Sequence, residues 1–289
     1  MKSVISSYVN LTKPTIVLLF SLTGLTAMVI EGSLIHNPFK FWVVLFAITL
    51  TACSANALNM YFDRDIDEIM TRTRAKRSLP LKKIEPINAL RFGLVLGIVS
   101  SGLLLRYANF LSAFLGLFTI FFYVVIYTLY LKRRTPYNIV IGGAAGAMAP
   151  LMGWAAATNQ ISLTAWLLFL IIFMWTPPHF WARALVVKED YRKAKVPMLP
   201  VVAGDSRTRL EILIYSLLLI PLTLAPVLLK AGGIIYLVSG GLLGLIFILQ
   251  TFQLMKKKDN KSAYSLFGYS IVYLLLLFIF LMVGSIFHG

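Results

Sequence analysis

Nine runs of mostly apolar residues divide the chain, at about 14–32, 40–61, 87–105, 109–131, 138–157, 162–186, 210–229, 231–254 and 263–287. Roughly 20 such residues are what an α-helix needs to cross the hydrocarbon core of a bilayer. Hydrocarbon offers the backbone no water, so each run must satisfy its own N–H and C=O groups, which a helix does. Charged residues supply only 13% of the chain and mean hydropathy is +0.83. An ordinary soluble domain carries about 25% charged residues. This chain could not cover a water-facing exterior, which excludes a soluble enzyme, a disordered regulator and a nucleic-acid-binding domain. The expected fold is all-α: a polytopic membrane bundle of nine transmembrane helices with cytoplasmic cap loops, forming one domain over residues 1–289. The first run is too long for a secretory signal and lacks a cleavage pattern, so it is read as a retained helix.

The charges orient the bundle. With the N-terminus cytoplasmic, nine crossings put every one of the 27 Lys and Arg on the cytoplasmic side except Lys40, Arg106 and Lys230. That asymmetry is the positive-inside pattern, and one missed helix would invert every later loop. The expectation is a multi-pass plasma-membrane protein, N-terminus inside and C-terminus outside. The net charge of +16 is then a matter of orientation, the bilayer is the expected partner and no nucleic acid is. Of the 11 acidic residues only Glu31 falls outside. Two long cytoplasmic loops, about 62–86 and 187–209, gather Asp63, Asp65, Asp67, Glu68, Glu85, Glu189, Asp190 and Asp205. The lone Cys53 excludes an internal disulfide or a cysteine-built zinc site. A transporter or channel would place ionisable residues near mid-membrane, whereas these acids collect at one face.

The first of these loops follows the second run and reads Asn56-Ala-Leu-Asn59-Met-Tyr-Phe-Asp63-Arg-Asp65-Ile-Asp67-Glu68. Asn59, Asp63 and Asp67 are spaced i, i+4, i+8, which predicts one face of a helix, with Asn56 close to it. Like charges at i, i+4 disfavour a helix by about 0.2–0.5 kcal/mol, and carboxylates near hydrocarbon are costly when unpaired. A divalent cation on Asp63 and Asp67 offsets both. Magnesium suits such a place, taking one or two carboxylates together with phosphate oxygens and water. The basic stretch Arg72-Thr-Arg74-Ala-Lys76-Arg77 follows. Carboxylates for a metal beside Arg and Lys for oxyanions form a natural diphosphate site. Asp65 points off that face and is expected to pair with a basic neighbour.

The second loop is preceded by Trp175-Thr-Pro177-Pro178-His179-Phe180-Trp181 and continues through Lys188-Glu189-Asp190-Tyr191 to Val196-Pro197-Met198-Leu199-Pro200. Prolines in an apolar helix free backbone carbonyls and kink it, which is tolerated where the helix lines a cavity. An intramembrane histidine beside them is a functional candidate, expected in a flat pocket between Trp175 and Trp181. Lys188, Arg192, Lys193 and Lys195 serve either topology or diphosphate. Gly142-x-x-x-Gly146 and Gly240-x-x-x-Gly244 are expected to permit close helix packing.

The string Asn59-x-x-x-Asp63-x-x-x-Asp67 after a second membrane helix, in a nine-helix chain, resembles the intramembrane aromatic prenyltransferases of the UbiA superfamily. With Arg72-Thr-Arg74, Pro178-His179 and Asp190-Tyr191, the resemblance is to the branch that farnesylates haem B, and it spans nearly the whole chain. It implies a magnesium-dependent transfer from farnesyl diphosphate to a vinyl group of haem B, with addition of water, giving haem O. Enzymes that use haem O are the implied downstream partners. Asn59, Asp63, Asp67 and His179 would be catalytic. Asn56, Arg72, Lys76, Arg77, His179 and Asp190 would bind substrate. Asp63, Asp67 and Asp190 would hold metal. The superfamily's second loop usually carries an Asp-x-x-x-Asp pair, but here Ala194 and Val186 flank Asp190 at that spacing. His179 would bind haem iron, bind a propionate or move a proton. A quinone precursor or another aromatic ring is the competing acceptor.

Overall fold

Proline opens each of the first three spanning helices, α1 (Pro14–Glu31), α2 (Pro38–Phe62) and α3 (Pro86–Tyr107), at the position where its missing N–H costs nothing. The computed structural model describes residues 2–288, with side chains over 4–287. Met1 and Gly289, the ends of the expected domain, and the side chain of Lys2 lie outside the described residues. After α3 come α4 (Phe110–Arg133), α5 (Asn138–Thr158), α6 (Leu163–Val186), α7 (Gly204–Leu229), α8 (Gly233–Lys257) and α9 (Asn260–Phe287). Among the described residues these nine helices are long and apolar enough to cross a membrane, and no strand occurs. Large apolar side chains such as Leu18, Trp42, Ile98, Phe110 and Leu228 stand exposed on the outside. That is the surface of a protein solvated by lipid. The chain is an integral membrane protein.

The helices close a ring. α1 packs on α2, α5 and α9; α2 on α3; α6 on α5, α7 and α9; and α8 on α9. α5 is the most buried of the nine, which accounts for its Gly and Ala content. A Cβ on Gly153 would stand 2.6 Å from the Gly24 carbonyl of α1, so only glycine lets the two backbones approach. Polar side chains also tie helices together. Ser54 donates to the Gly93 carbonyl at 2.7 Å, and the Thr51 and Ser100 hydroxyls lie 2.6 Å apart. Such bonds contribute about 0.6–2 kcal/mol each in a membrane.

Local structure departs from the expected spans at instructive places. α5 is two pieces, Asn138–Gly146 and Ala149–Thr158, with Pro150 opening the second. α7 begins at Gly204, because Asp205, Arg207 and Glu211 continue the helix beyond its apolar run and Arg207 pairs with Glu211 at 2.6 Å. α4 is α-helical to Phe121, π-helical over Phe122–Tyr130 and 3-10 over Leu131–Arg133. α6 stays helical through Pro177 and Pro178.

Candidate active site

The ring encloses a cavity of about 430 Å³, within the usual size of a small-molecule site. Its polar end is built where α2 and α4 finish. α2 stops at Phe62, Asp63 is its cap with φ −89° and ψ 2°, and a short helix Arg64–Ile69 follows. The single helical face expected for Asn59, Asp63 and Asp67 is therefore broken at Asp63. The Asp67 N–H still reaches the Asp63 carbonyl at 2.9 Å, so the turn continues and all three side chains line the cavity with Asn56. All four are buried.

Asn59 is the hub. Its amide donates to Asp63 Oδ2 and to Thr128 Oγ1, both at 2.8 Å, and its carbonyl oxygen accepts from Lys13 Nζ at 2.6 Å. The π-helix makes the second contact, since Thr128 donates to the Tyr123 carbonyl five residues back at 2.7 Å. Asp63 Oδ2 also accepts from Lys132 Nζ at 2.5 Å, while Asp67 pairs with Arg77. The carboxylates expected to be unpaired are thus each held by a cation in the protein alone. Asp63 Oδ1 is different: it is buried and has no hydrogen-bond partner. Burial, reinforced by Arg77, pushes the Lys13 amine well below its ordinary value. Asp65 turns outward to Arg133 at 2.7 and 2.8 Å, and that hydrogen bonding holds its carboxyl below the usual range.

The basic stretch folds back over the cavity. Thr73 donates to the Asp67 carbonyl at 2.9 Å, bringing Arg72 and Arg77 onto the lining. Arg72 Nε is buried without a partner. Lys76 stands exposed and outside the cavity. Asp190 does not join the other two carboxylates, because its Oδ2 accepts the Arg72 backbone N–H at 3.2 Å and it lies off the lining. It holds the basic segment in place, and its neighbour Tyr191 lines the cavity instead.

His179 lines another wall. Its ring stacks on Trp175 at 4.3 Å and 18°, and on Phe267 of α9 at 4.8 Å and 28°. Trp181, expected as the second flank, is fully buried off the cavity against Tyr215. Its place is taken by Phe267, which sequence spacing could not reveal. Ser270 of α9 accepts the Trp175 indole N–H on its carbonyl at 2.8 Å and meets His179 Nδ1 with its hydroxyl at 2.6 Å. That hydroxyl has one proton, and it donates to the Phe267 carbonyl at 2.6 Å. It must therefore accept from Nδ1–H, which leaves the lone pair on Nε2.

Sequence reasoning missed Lys13 and Lys132, which looked like topology charges, and also Tyr123, Tyr127 and Arg183 on the lining. The only local signals were cations at the edges of apolar runs and a Tyr-x-x-x-Tyr spacing. Gly142 and Gly146 have separate roles. A Cβ on Gly142 would overlap the Tyr127 ring, whereas Gly146 has open space and lines the cavity.

No group of three or more His, Cys, Asp and Glu placed to hold a metal occurs among the described residues. A cation on Asp63 and Asp67 would complete its shell with substrate oxygens and water, which is how magnesium ordinarily binds. The partnerless Asp63 Oδ1 fits that role.

The chain matches the UbiA prenyltransferase family over residues 17–286. It is 51% identical over 288 residues to the protoheme IX farnesyltransferase of Gloeobacter violaceus, covering 99% of this chain and 94% of that protein. Among solved structures, one described as digeranylgeranylglyceryl phosphate synthase superposes with a TM-score of 0.80 at 22% identity, covering 99% of both chains. A UbiA homologue from Archaeoglobus fulgidus bound to DMAPP and Mg2+ superposes with a TM-score of 0.67 at 15% identity, covering 94% of this chain and 99% of that one.

Proposed function

This chain belongs to the UbiA prenyltransferase family, and on that premise we propose that it converts haem B to haem O, using farnesyl diphosphate and water and releasing diphosphate. One observation carries the reading. Two buried carboxylates ringed by Lys13, Arg72, Arg77 and Lys132 share a cavity with a clamped histidine on an aromatic wall. The polar end suits an allylic diphosphate and the aromatic wall suits a flat acceptor.

Asp63 and Asp67 would hold magnesium, which when bound neutralises charge on the diphosphate. Arg72 donates to the same oxygens. As the C1–O bond of the donor breaks, its electron pair leaves with the diphosphate, and preorganised cations stabilise the charge that develops there. Tyr123, Tyr127 and Phe267 keep bulk water from the allylic cation. The terminal vinyl carbon of haem B bonds to C1. The adjacent carbon, now cationic, takes the oxygen of one water, whose extra proton must leave. The Nε2 lone pair of His179 serves this acceptor in one of two ways, by ligating the iron or by taking that proton. Donating to a propionate is incompatible with the neutral tautomer that Ser270 enforces.

The same reading makes the protein a single domain over 1–289 in the plasma membrane, N-terminus cytoplasmic, feeding enzymes that consume haem O. The test is the reaction itself. Purified protein given haem B, farnesyl diphosphate and magnesium should yield haem bearing one hydroxyethylfarnesyl group by mass. Chelation should stop turnover, and Asp63→Asn or Asp67→Asn should reduce it by about a hundredfold or more. Prenylation of a phenolic or quinone precursor, with none of haem, would overturn the acceptor and keep the family.

A further inference from the structure

We propose that Arg183 forms a carboxylate subsite in the cavity and takes a propionate of the acceptor; the assignment of that carboxylate to haem B rests on the function proposed above. Arg183 lies four residues beyond His179 on α6, about 6 Å further along the helix axis, and both line the cavity. Its guanidinium sits 5.3 Å from the centre of the Phe267 ring and 5.6 Å from that of Tyr264. Phe267 also stacks on His179, so one ring fixes the position of both groups.

The other cations of the cavity are already engaged. Lys132 is bound to Asp63, Arg77 to Asp67 and Lys13 to Asn59, while Arg72 rides on the segment that carries Asp67 and Arg77. The Arg183 guanidinium makes no hydrogen bond or ion pair with a described residue. A face on an aromatic ring leaves its edge N–H groups free, and that edge matches a carboxylate in bidentate fashion. A cation at the end of a membrane helix without an acidic partner calls for an anion. The diphosphate has its own cluster of cations, so the anion at Arg183 is the acceptor's.

The spacing suits a porphyrin. One helical turn is comparable to the reach from the centre of a haem to its propionates. With a propionate on Arg183, the macrocycle centre falls beside His179, and the vinyl-bearing edge turns away from Arg183 into the cavity.

The experiment compares haem B with its dimethyl ester, which keeps the ring and iron but has no carboxylate. Wild-type protein, Arg183→Leu and Arg183→Lys in lipid nanodiscs are titrated with each, following the Soret band. Wild type should bind haem B about tenfold more tightly than the ester. Arg183→Leu should bind both with the ester's affinity, and Arg183→Lys should keep part of the preference. An undiminished preference for the free acid in Arg183→Leu overturns the subsite. Equal binding of acid and ester by wild type also overturns it and leaves the guanidinium to a lipid phosphate. If Arg183→Leu does not fold, the wild-type ratio and Arg183→Lys decide. Failure of wild type to bind either compound sinks the haem acceptor itself, a result distinct from loss of the preference alone.

Discussion

The Lys132 amine lies 2.5 Å from Asp63 Oδ2, joining the end of α4 to the end of α2 in an ion pair buried on both sides. Such a pair does little for net stability but makes each partner dependent on the other. In the protein without substrate, Lys132 occupies one carboxylate oxygen and leaves Oδ1 open.

Lys132→Met should therefore destabilise the magnesium-free protein by about 3–5 kcal/mol, and magnesium should restore part of the loss. Denaturation in detergent with and without magnesium measures both. Equal losses with and without the cation would separate Lys132 from the metal site.

Arg72→Ala should weaken farnesyl diphosphate binding by about ten- to a hundredfold, the range for losing a hydrogen bond from a charged donor. Haem affinity should not change. Donor affinity equal to wild type would leave Arg72 with orientation of the loop as its role.

Ser270→Ala should release the His179 tautomer. The protein has 3 His, so 15N-histidine NMR with His36 and His288 replaced reads His179 alone. Wild type should show Nδ1 protonated and Nε2 bare, and the variant a mixture or the reverse, with a stability cost of about 1 kcal/mol. A wild-type spectrum with Nε2 protonated would contradict the hydrogen-bond assignment.

Lys13 predicts a pH dependence. Its pKa is lowered from 10.5 chiefly by burial, so the folded protein binds fewer protons here than the unfolded chain. Stability then rises with pH between the lowered value and 10.5. Lys13→Met should remove that rise in substrate-free protein, as thermal melts at stepped alkaline pH would reveal. The same slope in both proteins would assign the effect elsewhere.

The bundle was legible because lipid imposes a simple rule: nine apolar runs became nine helices. Asp63, Asp67, Arg72 and His179 announced themselves as charges or kinks where a membrane protein spends them sparingly. What the sequence concealed follows from how it was read. Lys13 and Lys132 satisfy the positive-inside pattern, so nothing marked them as cavity groups until α1 and α4 were seen beside Asn59 and Asp63. Phe267 and Ser270 come from α9, the last helix, about ninety residues from His179, and no local spacing connects them. Asp190 shows the converse: an acidic residue in the expected loop whose carboxylate is used by backbone.

The π-helical stretch Phe122–Tyr130 also sets what lengths of α4 can be inherited. A π-turn carries an extra residue relative to an α-turn, and π-bulges commonly mark functional sites. Deleting one residue there would let the segment relax to an α-helix and rotate everything after it by about 100°. Lys132 would leave Asp63 and Thr128 would leave Asn59, although no side chain had been changed. Point substitutions on the lipid-facing side of this stretch are therefore neutral in prospect, whereas an indel of a single codon dismantles the polar end of the cavity.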